Sequence, residues 1–153
     1  MKLQKATSFA LFAVLELAAD PTHQLAAAEI ADKYGISLHH LAKVLRDLAR
    51  AGIVESARGV GGGYRFAGNP KRLTLMDVME LFEPIDSNRA DGDDPRPSTD
   101  VGRALRLVLD EIDGHALATF RSITISTMLK IIDQRPWTAA VGDQKPRKRA
   151  ARS

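Results

Sequence analysis

Between Leu25 and Phe66 the chain reads LAAAEIADKYGISLHHLAKVLRDLARAGIVESARGVGGGYRF, and no other stretch restricts the fold as tightly. Ala26 to Tyr34 place Ala27, Ile30 and Ala31 at helical spacing, and Gly35 is a natural stop for that helix. Ser37 stands at the N-cap of a further helix running to about Ala51, where Gly52 ends it. Leu38, Leu41, Val44, Leu45 and Leu48 give this helix its expected buried stripe. His39, His40, Lys43, Arg46, Asp47 and Arg50 lie on its other side. Ile53–Ser56 and Tyr64–Phe66 then read as two short strands around ARGVGGG. Glycine at positions 59, 61, 62 and 63 lets that backbone take positive φ and come close to another surface. Two short helices joined by a tight turn and followed by a hairpin make the pattern of a winged helix-turn-helix. In that fold the second helix fits the DNA major groove and the wing reaches phosphates or the minor groove.

The flanks complete a mainly α fold class: a winged helix-turn-helix with a two-stranded wing plus a long C-terminal dimerisation helix. Residues 6–19 form a first helix with an apolar stripe of Phe9, Phe12, Ala13, Leu15, Leu17 and Ala18, ended by Asp20-Pro21. Thr74 caps a fourth helix, LTLMDVMELFE, which ends near Pro84 and carries Asp77 and Glu80 in its early turns. Residues 84–99, PIDSNRADGDDPRPST, have a linker's composition. A long helix starts near Asp100, with Val101, Leu105, Val108, Ile112, Ala116 and Phe120 recurring every three or four residues. Gly114 inside it costs about 1 kcal/mol relative to alanine. Thr124 caps a last short helix, ISTMLKIID, which stops before Pro136. The expected organisation is a DNA-binding domain (1–83), a linker (84–99), a dimerisation helix with a short terminal helix (100–135) and a disordered basic tail (136–153).

Charge follows the same division. Residues 36–72 hold seven Lys/Arg against Asp47 and Glu55, and residues 143–153 hold five against Asp143, although the whole chain is only +3. Basic charge gathered on the reading segment and the tail suits a nucleic-acid partner. No apolar run approaches the roughly 18 residues of a membrane span. The N-terminus is basic and then apolar, as in a signal peptide, but Glu16 interrupts the run and helical spacing persists. A mature amphipathic helix and a cytoplasmic location are therefore expected. There is no cysteine, which leaves no disulfide, thiolate metal site or cysteine nucleophile.

The expected DNA contacts begin at the N-terminal end of the reading helix. Ser37, His39, His40 and Lys43 are candidates for base edges, and Arg46 for phosphate. Arg58, next to Gly59 and Gly61 and followed by Tyr64, is a guanidinium on a thin loop that can enter a narrow minor groove. GVGGGY lacks the Lys-Ser/Thr of a phosphate-binding P-loop and does not run from a strand into a helix. The four histidines have no metal-ligand spacing, and no HExxH or GxSxG motif occurs, so no enzyme is expected. The stripe of Val101, Leu105, Val108, Ile112 and Phe120 is too wide to stand alone. A homodimer through residues 100–121 is the expected use of it, against the alternative of a helix capping its own chain.

MKLQKATSFALFAVLELA, AEIADKYGIS, LAKVLRDLARAGIVESARGVGGGYRF and LTLMDVMELFE together resemble the Rrf2 family of bacterial transcriptional regulators. The RGxGGGY wing followed by LTLxDV is the most specific part of that resemblance. It implies a winged helix-turn-helix, a long dimerisation helix crossing to the partner subunit, and binding to near-palindromic promoter DNA, mostly as a repressor. It implies recognition positions at Ser37, His39, His40 and Lys43, and a wing position at Arg58 with Gly59. Many members have glutamate where this chain has Ala42, so an acceptor for cytosine N4 is missing. Well-known members hold an iron–sulfur cluster on three cysteines in the loop equivalent to 84–99, and some use an acidic ligand where Ser8 stands. This chain resembles the cysteine-free branch, without metal or cofactor. Two other readings remain open: an adaptor acting through a protein partner, and a regulator responding to a small molecule held near Phe82, Ile85 and Trp137. The PRKRAAR tail is either an extra phosphate contact or a solvated end.

Overall fold

The computed structural model describes residues 3–83 and 99–134. Linker residues 84–98, with Ile85, and the stretch from 135 on, with Trp137 and the basic tail, lie outside the described residues. The order is α1 (Lys5–Ala19), α2 (Ala27–Tyr34), α3 (Leu38–Arg50), β1 (Val54–Ala57), β2 (Gly63–Phe66), α4 (Leu75–Met79), α5 (Asp100–Ser122) and α6 (Ile125–Gln134).

One core joins all of these. Val14 and Leu17 of α1, Ile30 of α2, and Leu41, Leu45 and Leu48 of α3 are fully or almost fully buried, together with Val54, Val78 and Ile125. Gly35 closes α2 in the left-handed region at φ +62°, donating to the Ala31 carbonyl, as the sequence required. The N–H of Ala26 donates to Glu29 Oε2 at 2.7 Å, which ties down the other end of α2. Leu38 departs from expectation: it is 51% exposed. It is the first residue of α3, at the edge of the stripe, and the preceding Ile36 takes the core position instead.

α1 and α2 are also fastened on the outside. The rings of Phe12 and Tyr34 stack with centroids 4.8 Å apart. The Tyr34 hydroxyl donates to Glu16 Oε1, and Lys33 Nζ lies 2.7 Å from the same oxygen. Partial burial pushes the Glu16 carboxyl up, but the hydrogen bonds from Lys33 and Tyr34 outweigh it and leave it below its ordinary value. Burial, then the hydrogen bond to Glu16, raises the Tyr34 phenol to about 12.

The wing is an antiparallel pair with Val54 opposite Phe66, Glu55 opposite Arg65, Ser56 opposite Tyr64 and Ala57 opposite Gly63. A third segment joins it. Leu25 exchanges both backbone hydrogen bonds with Tyr64, at 2.9 and 2.8 Å, so the α1–α2 connection lies along the outer edge of β2. This contact requires glycine at 63, because a Cβ there would stand 2.5 Å from the Leu25 carbonyl oxygen.

Thr74 caps α4 as expected, accepting from the Asp77 N–H while Asp77 accepts from Thr74 N–H. The helix is shorter than its apolar pattern suggested. After Met79 the chain continues in tight turns, with Leu81 and Phe82 donating back to Val78 and Met79. Leu75 N–H donates to the Ile123 carbonyl and Ile125 N–H to the Leu73 carbonyl, both at 2.9 Å. This bridge between Thr74 and Thr124 pins the α5–α6 corner onto the start of α4, and Ile125 is fully buried there. Thr124 caps α6 through its hydroxyl, which accepts from Thr127 N–H.

α5 therefore has two regions. Its C-terminal end, including Phe120, packs against the core of its own chain. Phe120, part of the expected dimerisation set, is partly buried against its own chain, where the corner at residues 123–125 draws it inward. Val101, Leu105, Val108 and Ile112 are each more than half exposed, at 70, 52, 53 and 56%.

Candidate DNA interface

At about 100° per residue, His39, Lys43, Arg46 and Arg50 fall on one ridge of α3, directly opposite Leu41, Val44, Leu45 and Leu48. Burying the leucine stripe in the core obliges that ridge to face solvent. All four of its residues are exposed. His40 flanks the ridge, its ring 6.0 Å from that of His39 and tilted by 53°. Ser37 is the N-cap residue by position, but its hydroxyl makes no capping hydrogen bond and is exposed. A hydroxyl without an internal partner is available to an external one.

The charges of the segment divide into two sets. Arg65 is held by Glu55 across the hairpin, through two bonds of 3.0 and 2.8 Å to one carboxylate oxygen. Arg50 lies 3.6 Å from Asp47. Lys43, Arg46 and Arg58 make no ion pair among the described residues. Uncommitted cations are the ones that can exchange water and counterions for phosphate.

In the wing, Arg58 follows β1 and begins the loop. Gly59 and Gly61 take φ of +107° and +76°, which side chains rarely tolerate. Gly62 N–H donates to the Gly59 carbonyl at 2.9 Å, closing the tip. A Cβ at Gly62 would stand 2.6 Å from the Ala57 carbonyl oxygen, so the tip stays thin. Val60 is fully exposed at its end. Tyr64 lies elsewhere: it is half-buried, packed against the core and bonded to Leu25. It seats the wing on the domain through its backbone, and the residue remains partly exposed. Leu25 was missed by sequence reasoning. The run of glycines was a visible sign that some backbone approaches closely, but it did not say which.

A helical core with an open cationic helix and a glycine-tipped two-stranded wing defines a winged helix-turn-helix DNA-binding protein. Residues 3–131 match the profile of the Rrf2 family, described as iron-dependent transcriptional regulators, and the chain belongs to that family. It is 57% identical over 135 residues to a protein of Rhodopseudomonas palustris named as an HTH-type transcriptional regulator, BadM, spanning 87% of this chain and 84% of the relative. It is 36% identical over 84 residues to the HTH-type transcriptional regulator NsrR of Shouchella clausii, spanning 54% of this chain and 56% of that one. Among solved structures it is similar to CymR, the global cysteine regulator of B. subtilis, with a TM-score of 0.71 at 24% identity over 86% of this chain and 98% of the other. It is also similar to T. potens IscR, with a TM-score of 0.68 at 23% identity over 88% and 92%. At these identities the two structures establish the shared fold alone.

The iron in the family description meets a donor set that does not suit an iron–sulfur cluster. Such clusters are held by thiolates, and the chain has no cysteine. Among the described residues no group of three or more His, Asp or Glu is arranged to hold a metal ion. The Ser8 hydroxyl is turned back onto its own helix, donating to the Gln4 carbonyl at 3.2 Å. No helix among the described residues is long and apolar enough to cross a membrane.

Proposed function

We propose that this chain is a sequence-specific transcriptional regulator, acting as a repressor on near-palindromic promoter DNA, as a homodimer in the cytoplasm and without an iron–sulfur cluster. Residues 1–83 form the reading domain, and the exposed stripe of α5 supplies the contact to a second copy. The observation that carries this reading is the α3 ridge. Its outward face offers His39, Lys43 and Arg46 with no hydrogen bond or ion pair among the described residues, while the opposite face is locked in the core. Ser37, His39, His40 and Lys43 meet base edges, Arg46 meets phosphate, and Arg58 enters the minor groove with Gly59 and Gly61 against the backbone. Repression follows from occupancy: a dimer spanning two half-sites in a promoter covers the DNA that polymerase must contact.

The test is selection of genomic fragments by the purified protein, at stated salt and without added iron. One shared palindrome among the recovered fragments supports a cluster-independent regulator. Recovery of fragments with no common site overturns it and favours an adaptor that works through a protein partner.

A further inference from the structure

The outward ridge of α3 is chemically one-sided. Lys43 and Arg46 are donors only, His39 offers a ring N–H and one accepting ring nitrogen, and none of the three is tied to a carboxylate. The first turn of α3 has no acidic residue. Asp47, the one carboxylate of α3, is paired with Arg50. Ala42, half-buried beside the ridge, offers neither donor nor acceptor. Nor does α3 carry the Asn or Gln that pairs bidentately with adenine. In the major groove, guanine presents two acceptors side by side, N7 and O6, whereas adenine sets a donor beside its single acceptor, thymine sets a methyl group beside its single acceptor, and cytosine presents a donor.

We propose that Lys43 and His39 set specificity by reading guanines, so that each operator half-site carries two guanines on one strand within the span of the ridge. This rests on the DNA-reading role of α3 proposed above. His39 and Lys43 are four residues apart, about 6 Å along the helix axis. Base pairs succeed one another about every 3.4 Å. The two guanines therefore lie about two base-pair steps apart. A cytosine or adenine amino group opposite Lys43 would face a second donor and is rejected there. Arg46, a turn further on, meets the phosphate beside them.

The test uses the full chain and an operator recovered by fragment selection. Each guanine of one half-site is replaced in turn by 7-deazaguanine, which keeps Watson–Crick pairing but lacks N7, and affinity is read by fluorescence anisotropy at fixed salt. Loss of roughly tenfold at two guanines, two steps apart, is expected. In Lys43→Ala, one of those two substitutions should no longer cost affinity and the base preference at that position should relax, with the helical circular dichroism unchanged. A shared site without guanine in its half-sites, or one where 7-deazaguanine is silent, overturns guanine reading while leaving a DNA regulator in place. Binding with no shared site overturns both.

Discussion

Arg58 begins a loop in which four of the next five residues are glycine and Val60 is the one side chain at the tip. Arg58 makes no ion pair among the described residues, so nothing in the fold depends on its charge. Arg58→Ala should lower operator affinity by about 1–3 kcal/mol and leave the melting temperature unchanged. Titration at fixed salt, paired with thermal melting, checks both, and unchanged affinity would remove Arg58 from the interface. Tyr34 is the opposite kind of residue, fixed by internal partners. Its phenol is raised to about 12, first by burial and then by its hydrogen bond to Glu16. A raised folded-state value means that the neutral phenol contributes stability below its ordinary value near 10 and loses it as pH climbs from there toward 12. Tyr34→Phe should therefore be less stable than the parent at pH 8, with the gap narrowing by pH 11. Urea melts at the two pH values measure this, and a constant gap would mean that the Glu16 bond does not hold the phenol neutral.

Among the elements, the wing shows how local and distant constraints combine. Its strands and turn were legible because Gly59–Gly63 between two β-rich runs is a local signal, and the strand bounds shifted by only one residue. The helix-turn-helix was legible for the same reason: Gly35, Ser37 and the leucine spacing of α3 act over a single turn. The bridge from Leu25 to Tyr64 was not legible, because the two are far apart in sequence and backbone pairing leaves no side-chain signature. The division of α5 was equally hidden. Phe120 continues the stripe perfectly well, and only the pinning of the α5–α6 corner at Thr74 and Thr124 turns it onto its own core. At the interface, exposure of the ridge followed from periodicity, whereas the inward packing of Tyr64 depended on the Leu25 contact. Gly63→Ala probes that contact. Its Cβ would meet the Leu25 carbonyl oxygen at 2.5 Å, and neither backbone can yield without breaking the paired hydrogen bonds. A loss of about 1–3 kcal/mol is expected in denaturant melts. Undiminished stability would show that the bridge is dispensable.

At the scale of the whole molecule, the unbalanced feature is the N-terminal part of α5. Val101, Leu105, Val108 and Ile112 repeat at three- and four-residue spacing on one face, and no described residue covers them. Such a face costs free energy in water and is relieved by burial, at about 25 cal/mol per Å² of apolar area. In the proposed homodimer a second copy of the same helix is the occupant, since a self-complementary stripe closes a two-fold dimer without a further surface. Such a dimer also supplies the second reading head that a palindrome requires. Ile112→Glu places a carboxylate in the middle of the stripe. It should weaken association by about 3 kcal/mol, more than 100-fold, because the charge must be desolvated without a partner. The core of each chain is untouched, since Ile112 is 56% exposed within it. Sedimentation velocity should then show a folded monomer at concentrations where the parent, on the proposed reading, sediments as a dimer. Affinity for a full palindrome should fall toward that for a single half-site, because the two heads no longer bind as one unit. A variant that still sediments as the parent does would place the subunit contact elsewhere on the chain.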